Sequence, residues 1–146
     1  MSDPDLPSVD LFDQSIEGSG WQWRDGLCGL VPGVSSLAEA EKLFGPVCRV
    51  SELANGVTYD LLNGALRVTL LHGEVTLRKI ALQNKPESHA LLPQDIIEAA
   101  ARFGKLAATK LDRFEGVVYE RPGMRITCDP TLTPTKVLNI EIFATD

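Results

Sequence analysis

The sequence predicts an α+β fold made of two tandem, pseudo-symmetric repeats, each a helix followed by an antiparallel meander. Three observations lead there. First, the chain contains itself twice: residues 36–82 and 95–143 carry one pattern in one order. Ser36-Leu37-Ala38-Glu39-Ala40 recurs as Asp95-Ile96-Ile97-Glu98-Ala99, Phe44-Gly45 as Phe103-Gly104, and Gly56-Val57-Thr58-Tyr59-Asp60 as Gly116-Val117-Val118-Tyr119-Glu120. Leu66-Arg67-Val68-Thr69 returns as Met124-Arg125-Ile126-Thr127, and the offset drifts only from 59 to 60 to 58 residues. Such self-similarity reports a repeated supersecondary unit. Second, each repeat opens on a helical apolar period stopped by glycine. Third, each continues into alternating segments joined by turn dipeptides.

Taken in order, residues 1–25 form an acidic tail with Pro4, Pro7, Gly18 and Gly20, ending in a Trp-Gln-Trp arm, and are expected to be flexible. Residues 26–84 make the first repeat, 85–94 a polar linker, and 95–146 the second repeat; the whole is one compact domain. The first helix is expected over 36–44. Ser35 or Ser36 caps it, Leu37, Ala40, Leu43 and Phe44 supply its apolar face, and Gly45-Pro46 ends it. Strands are expected near 57–62, 65–71 and 75–82. The second helix spans about 94–103, with Gln94 or Asp95 as cap and Gly104 as stop. A short strand near 106–111 precedes strands near 117–121, 124–128 and 136–143. The loop over 129–135 is longer than its counterpart in the first half, and loop elaboration is a common seat of function.

Asn63-Gly64 is a strong hairpin signal. As a two-residue turn it sets Leu62 opposite Ala65, Asp60 opposite Arg67 and Tyr59 opposite Val68. Pro122-Gly123 in the equivalent place sets Glu120 opposite Arg125 and Tyr119 opposite Ile126. Side chains alternate across a strand, so the acid–Arg pairs and the Tyr–aliphatic pairs fall on opposite faces. Val57, Tyr59, Leu61, Leu66, Val68 and Leu70 read as core. Thr58, Asp60, Arg67 and Thr69, with Arg78, read as the other face. Whether the two sheets merge, pack face to face or stand apart is left open by the pattern.

Composition limits function. In 146 residues, 44% are hydrophobic and 23% charged, enough for an aliphatic core. The net charge of −6 sits mostly in residues 1–20, which hold Asp3, Asp5, Asp10, Asp13 and Glu17 and no Lys or Arg. The rest is close to neutral. No basic footprint for nucleic acid is visible, and adhesion to an anionic membrane is disfavoured. The start is acidic rather than basic and apolar, and no stretch approaches the roughly 20 apolar residues of a membrane span, so a cytoplasmic location is expected. Cys28, Cys48 and Cys128 are far apart and odd in number, which argues against a disulfide framework or zinc site and for buried structural thiols. His72 and His89 fall in a turn and the linker. No P-loop, dinucleotide fingerprint, zincin motif or nucleophile elbow is present, and no cofactor or metal is expected.

The stretch Gly33-Val34-Ser35-Ser36-Leu37-Ala38-Glu39-Ala40-Glu41-Lys42-Leu43-Phe44-Gly45-Pro46, followed by a meander with His72-Gly73-Glu74-Val75 at a turn, resembles the SmpA/OmlA-type outer-membrane assembly lipoprotein domain. It is also similar to the β-lactamase inhibitory protein fold, a tandem duplication of such a unit. The resemblance covers about 33–82 directly and 92–143 through the repeat. The helix-start glycine lies one residue farther from Gly45 than in the pattern, and the second half lacks both that glycine and the Gly-Pro stop. The resemblance implies a sheet surface that binds another protein, and carries over no functional residue.

The candidate binding residues are Trp21, Trp23, Asp60, Arg67, Arg78, Glu120 and Arg125. The two tryptophans make either an exposed anchor or an arm that packs one indole on the body. The acid–Arg pairs make either a clamp for an anion or partner carboxylate, or ordinary cross-strand ion pairs. The function expected is a non-enzymatic, bacterial-type interaction module of the inhibitor or adaptor kind, its partner another protein or a second copy of itself. The alternative is a small anionic ligand bound at the seam between the repeats.

Overall fold

The computed structural model describes residues 23–104, 107–112, 116–121, 123–129 and 136–144. Trp21, the rest of the acidic tail and the loop over 130–135 lie outside the described residues. A short 3-10 turn, Trp23–Asp25, leads to helix α1, Leu37–Phe44. Strands β1 (Arg49–Glu52), β2 (Gly56–Leu61), β3 (Leu66–Leu71) and β4 (Lys79–Gln83) follow. Helix α2, Ile96–Phe103, then precedes β5 (Ala107–Asp112), β6 (Gly116–Arg121), β7 (Met124–Asp129) and β8 (Lys136–Phe143).

These strands form a single antiparallel sheet of eight among the described residues, in the order β1-β2-β3-β4-β8-β7-β6-β5. The joint that sequence left open is β4 against β8, with Ile80 opposite Ile142, Ala81 opposite Glu141 and Leu82 opposite Ile140. Apolar residues meet on one face at this joint, so closing it hides side chains that either strand alone would leave at an edge.

Both hairpin registers are as the turn dipeptides predict. Asp60 lies opposite Arg67, Tyr59 opposite Val68, Glu120 opposite Arg125 and Tyr119 opposite Ile126. The first turn is of the primed kind: Asn63 has φ 55° and ψ 35°, Gly64 has φ 88°, and the Ala65 N–H donates to the Leu62 carbonyl at 3.0 Å. Leu62 is drawn to φ 50° beside it, a conformation an L-residue adopts at a cost.

The helix caps resolve as well. Ser36 Oγ accepts from the Glu39 N–H at 3.2 Å, and Asp95 Oδ1 accepts from the Glu98 N–H at 2.9 Å. Gly45 takes φ 93° at the end of α1. Leu37, Ala40 and Phe44 of α1 and Ala99 and Phe103 of α2 join one core cluster with Leu61, Leu66, Val68, Ile80, Leu82, Met124, Ile126, Cys128, Val137, Ile140 and Ile142. The helices therefore cover one face of the sheet.

Four expectations need correction. β1 had no place in the sequence reading: Arg49-Val50-Ser51-Glu52 has little apolar content because it is a short edge strand, and of the four only Ser51 is half-buried, the others being exposed. The strand placed at 75–82 begins only at Lys79, since residues before it form a turn in which Glu74 holds Arg78. The linker over 85–94 is packed, not merely polar. Pro86–Ser88 is a 3-10 turn, Ser88 is wholly buried with its hydroxyl bonded to the Gln83 carbonyl, and Leu92 enters the core. Of the three thiols read as buried, Cys48 is exposed.

Candidate functional site

The face turned away from the helices carries the charged residues. Passing from strand to strand through directly opposite positions gives Arg49, Asp60, Arg67, Ala81, Glu141, Arg125, Glu120 and Ala107. The two acid–Arg pairs predicted separately thus belong to one row that crosses the entire sheet. Acid and base alternate along it, so each charge has an opposite charge beside it, except where alanine intervenes.

The geometry along this row is uneven. Arg67 Nε lies 3.2 Å from Asp60 Oδ1, with the arginine side chain 45% exposed and the aspartate 7%. Lys79 Nζ lies 2.5 Å from Glu141 Oε2, at 43% and 16% exposure. In both pairs the carboxylate is sunk into the sheet and the cationic end reaches solvent. Small residues and hydroxyls surround them: Ala81 is buried, and Thr58 and Thr69 share a hydrogen bond of 3.2 Å across β2 and β3. Arg49 at one edge and Lys136 at the start of β8 are both exposed. Arg125 is half-buried in β7.

Other candidates fall elsewhere. Arg78 precedes β4 and is held by Glu74 through two contacts, Nε to Oε1 at 3.2 Å and Nη2 to Oε2 at 2.7 Å, so it belongs to the β3–β4 turn rather than to the row. Trp23 is no exposed anchor. It packs against the core and sits over the β6–β7 turn, where a Cβ on Gly123 would collide with its side chain. The Arg24 guanidinium stacks on its ring at 5.1 Å.

Thr58 and Thr69 lie on this face as the alternation predicts, whereas Arg49, Lys79 and Glu141 join it without having been singled out from sequence. The signal was alternation: Lys79 and Ala81 flank Ile80, and Glu141 stands between Ile140 and Ile142. What alternation lacks is the partner strand, because β4 and β8 lie 53 or more residues apart in the chain and nothing local sets them side by side.

Burial pushes the thiols of Cys28 and Cys128 up to about 12, so both stay protonated and unreactive at neutral pH. Among the described residues, no group of three or more His, Cys, Asp or Glu side chains is placed to hold a metal ion. No helix among them is long and apolar enough to cross a membrane. Compared with family models, curated proteins and solved structures, the chain matches none.

Proposed function

We propose that this protein is a non-enzymatic protein-binding module of the inhibitor or adaptor type, bacterial and cytoplasmic, that docks its partner on the polar face of the sheet. One observation carries the reading: a register-aligned row of mostly charged positions crosses that face from edge to edge, with ion pairs at Arg67–Asp60 and Lys79–Glu141, while the helices pack on the other. A broad, rigid, polar surface on a regular sheet suits a macromolecule, because interfaces of useful affinity need about 800 Å² from each partner. The paired charges are held in place before binding, so little side-chain entropy is lost on docking.

The tandem-repeat reading belongs to the same proposal. Outward from the β4–β8 joint, the row runs Ala81, Arg67, Asp60, Arg49 one way and Glu141, Arg125, Glu120, Ala107 the other. Arg67 thus matches Arg125, and Asp60 matches Glu120. This supports two copies of a helix-plus-meander unit related by a local twofold at the joint, and with it the likeness to the SmpA/OmlA and β-lactamase inhibitory protein architectures.

The seam is less favourable for a small anion. β4 and β8 are hydrogen-bonded neighbours, so no cleft parts them, and Glu141 places a carboxylate at the centre. Arg67 and Arg125 stand three strand spacings apart, about 14 Å at the backbone.

A native pull-down tests the proposal. Thr69→Trp puts a bulky side chain in the middle of the polar face, and Lys42→Trp puts the same bulk on exposed α1. Expected is a captured protein that Thr69→Trp loses and Lys42→Trp retains. Equal capture by wild type and both variants would count against the sheet face.

A further inference from the structure

We infer that the occupant of the polar sheet face is an acidic protein segment, one that offers several carboxylates across the five neighbouring strands from β1 to β8. This rests on the reading that the face binds a protein, and adds the chemistry of that partner.

Depth separates the charges of this face. Arg67 and Lys79 are about half exposed, whereas the acids that pair with them, Asp60 and Glu141, are nearly covered. Between the β1 edge and β8 the face therefore offers a partner its cations, although the row alternates in formal charge. Arg49 and Lys136, both exposed, extend the cationic surface from the β1 edge to β8.

Donor capacity points the same way. Asp60 is met by the Nε of Arg67, which leaves the Nη donors, and Glu141 takes one contact from an ammonium that carries three donors. Carboxylates are the acceptors that match such donors, and the fork of Arg67 accepts one in two-pronged fashion. The embedded Asp60 and Glu141 also discriminate. A continuous phosphate backbone would run its charges directly over both carboxylates, whereas a polypeptide can place its acids over the cations and neutral residues between them. The cations are spread over β1, β3, β4 and β8, farther than a single small anion reaches.

Fluorescence anisotropy on the full chain tests this with dye-labelled octaglutamate, octalysine and a twelve-residue oligothymidine. Expected is binding of octaglutamate alone, weakened about tenfold between 20 and 200 mM NaCl. Lys79→Gln, Arg49→Gln and Arg67→Gln are each expected to weaken it severalfold, Arg67→Lys less than Arg67→Gln, and Lys42→Gln not at all. Thermal melts of each variant confirm that it is folded, and Arg49, exposed, and Lys79, about half exposed, keep the test valid should Arg67→Gln unfold. No octaglutamate binding, affinity indifferent to these residues, or tighter binding of octalysine or oligothymidine overturns the inference. Should octaglutamate fail while pull-down capture still depends on position 69, the acidic chemistry falls and the docking face stands. Should capture also ignore position 69, the docking face falls too.

Discussion

At the scale of single residues, depth below the surface decides chemistry. Asp60 and Arg67 would count as an ordinary surface ion pair from their spacing alone, worth a few tenths of a kcal/mol. The aspartate is nearly covered, so removing its partner strands a carboxylate in a poorly hydrated place. Arg67→Ala is expected to cost about 1–3 kcal/mol in urea denaturation, and Asp60→Ala/Arg67→Ala together less than Arg67→Ala alone. A double variant that costs the sum of the two singles would show that the pair is not coupled.

The thiols divide in the same manner. Cys48 is exposed with its Sγ donating to the Asp60 carbonyl at 3.2 Å, while Cys128 is wholly buried and Cys28 packs against the core. Ellman's reagent is expected to titrate one thiol rapidly in the native protein and three in denaturant. For Cys28 and Cys128 the folded state holds the proton up to about pH 12, against 9.0 ordinarily. Above pH 9 the unfolded chain sheds that proton and the folded chain keeps it. Stability from this source is thus whole below pH 9 and declines from there toward pH 12. Cys128→Ala should flatten that decline in denaturation midpoints taken at pH 8 and pH 10.5; an unchanged slope would contradict the burial of the thiol.

At the scale of elements, what the sequence made legible was whatever local chemistry enforces. Helix starts follow from Ser36 and Asp95, the end of α1 from Gly45, and hairpin registers from Asn63-Gly64 and Pro122-Gly123. Each acts within a few residues of itself. β1 escaped because an edge strand buries little and so keeps no apolar alternation. The packing of Ser88 and Leu92 escaped because a polar segment can be ordered by one hydroxyl and one leucine, which composition does not weigh. For Trp23 the sequence offered packing on the body as one reading, but not the place, the Gly123 turn about 100 residues on.

That turn makes a specific prediction. Gly123 has φ 80° and lies against Trp23, whereas Gly73 has φ 84° and nothing near its Cβ position. Gly123→Ala should cost about 3 kcal/mol, from conformational strain plus collision, and Gly73→Ala about 1. Equal costs would mean that Trp23 does not rest on the turn.

At the scale of the whole molecule, the deciding feature is the β4–β8 joint. It turns two four-stranded meanders into one sheet, brings Ile80 and Leu82 against Ile142 and Ile140, and aligns two short charge pairs into one row. Sequence self-similarity predicts the units, but their arrangement follows from tertiary pairing between strands far apart in the chain. Chain cut in the exposed segment at His89-Ala90 should give two fragments that show little cooperative unfolding alone and regain it when mixed, as followed by circular dichroism. A fragment that folds cooperatively by itself would mean that the joint is not needed for its core.

The central claim is that the sheet's polar face is where a partner sits. The most direct measurement places the photocrosslinking amino acid benzoylphenylalanine at Thr69 on that face, and separately at Lys42 on α1, in the full chain under native conditions. The account predicts one discrete crosslinked protein from position 69, rich in surface carboxylates at the linked segment, and none from position 42. Crosslinks from position 42 with none from position 69 would contradict it, because the partner would then sit on the helices.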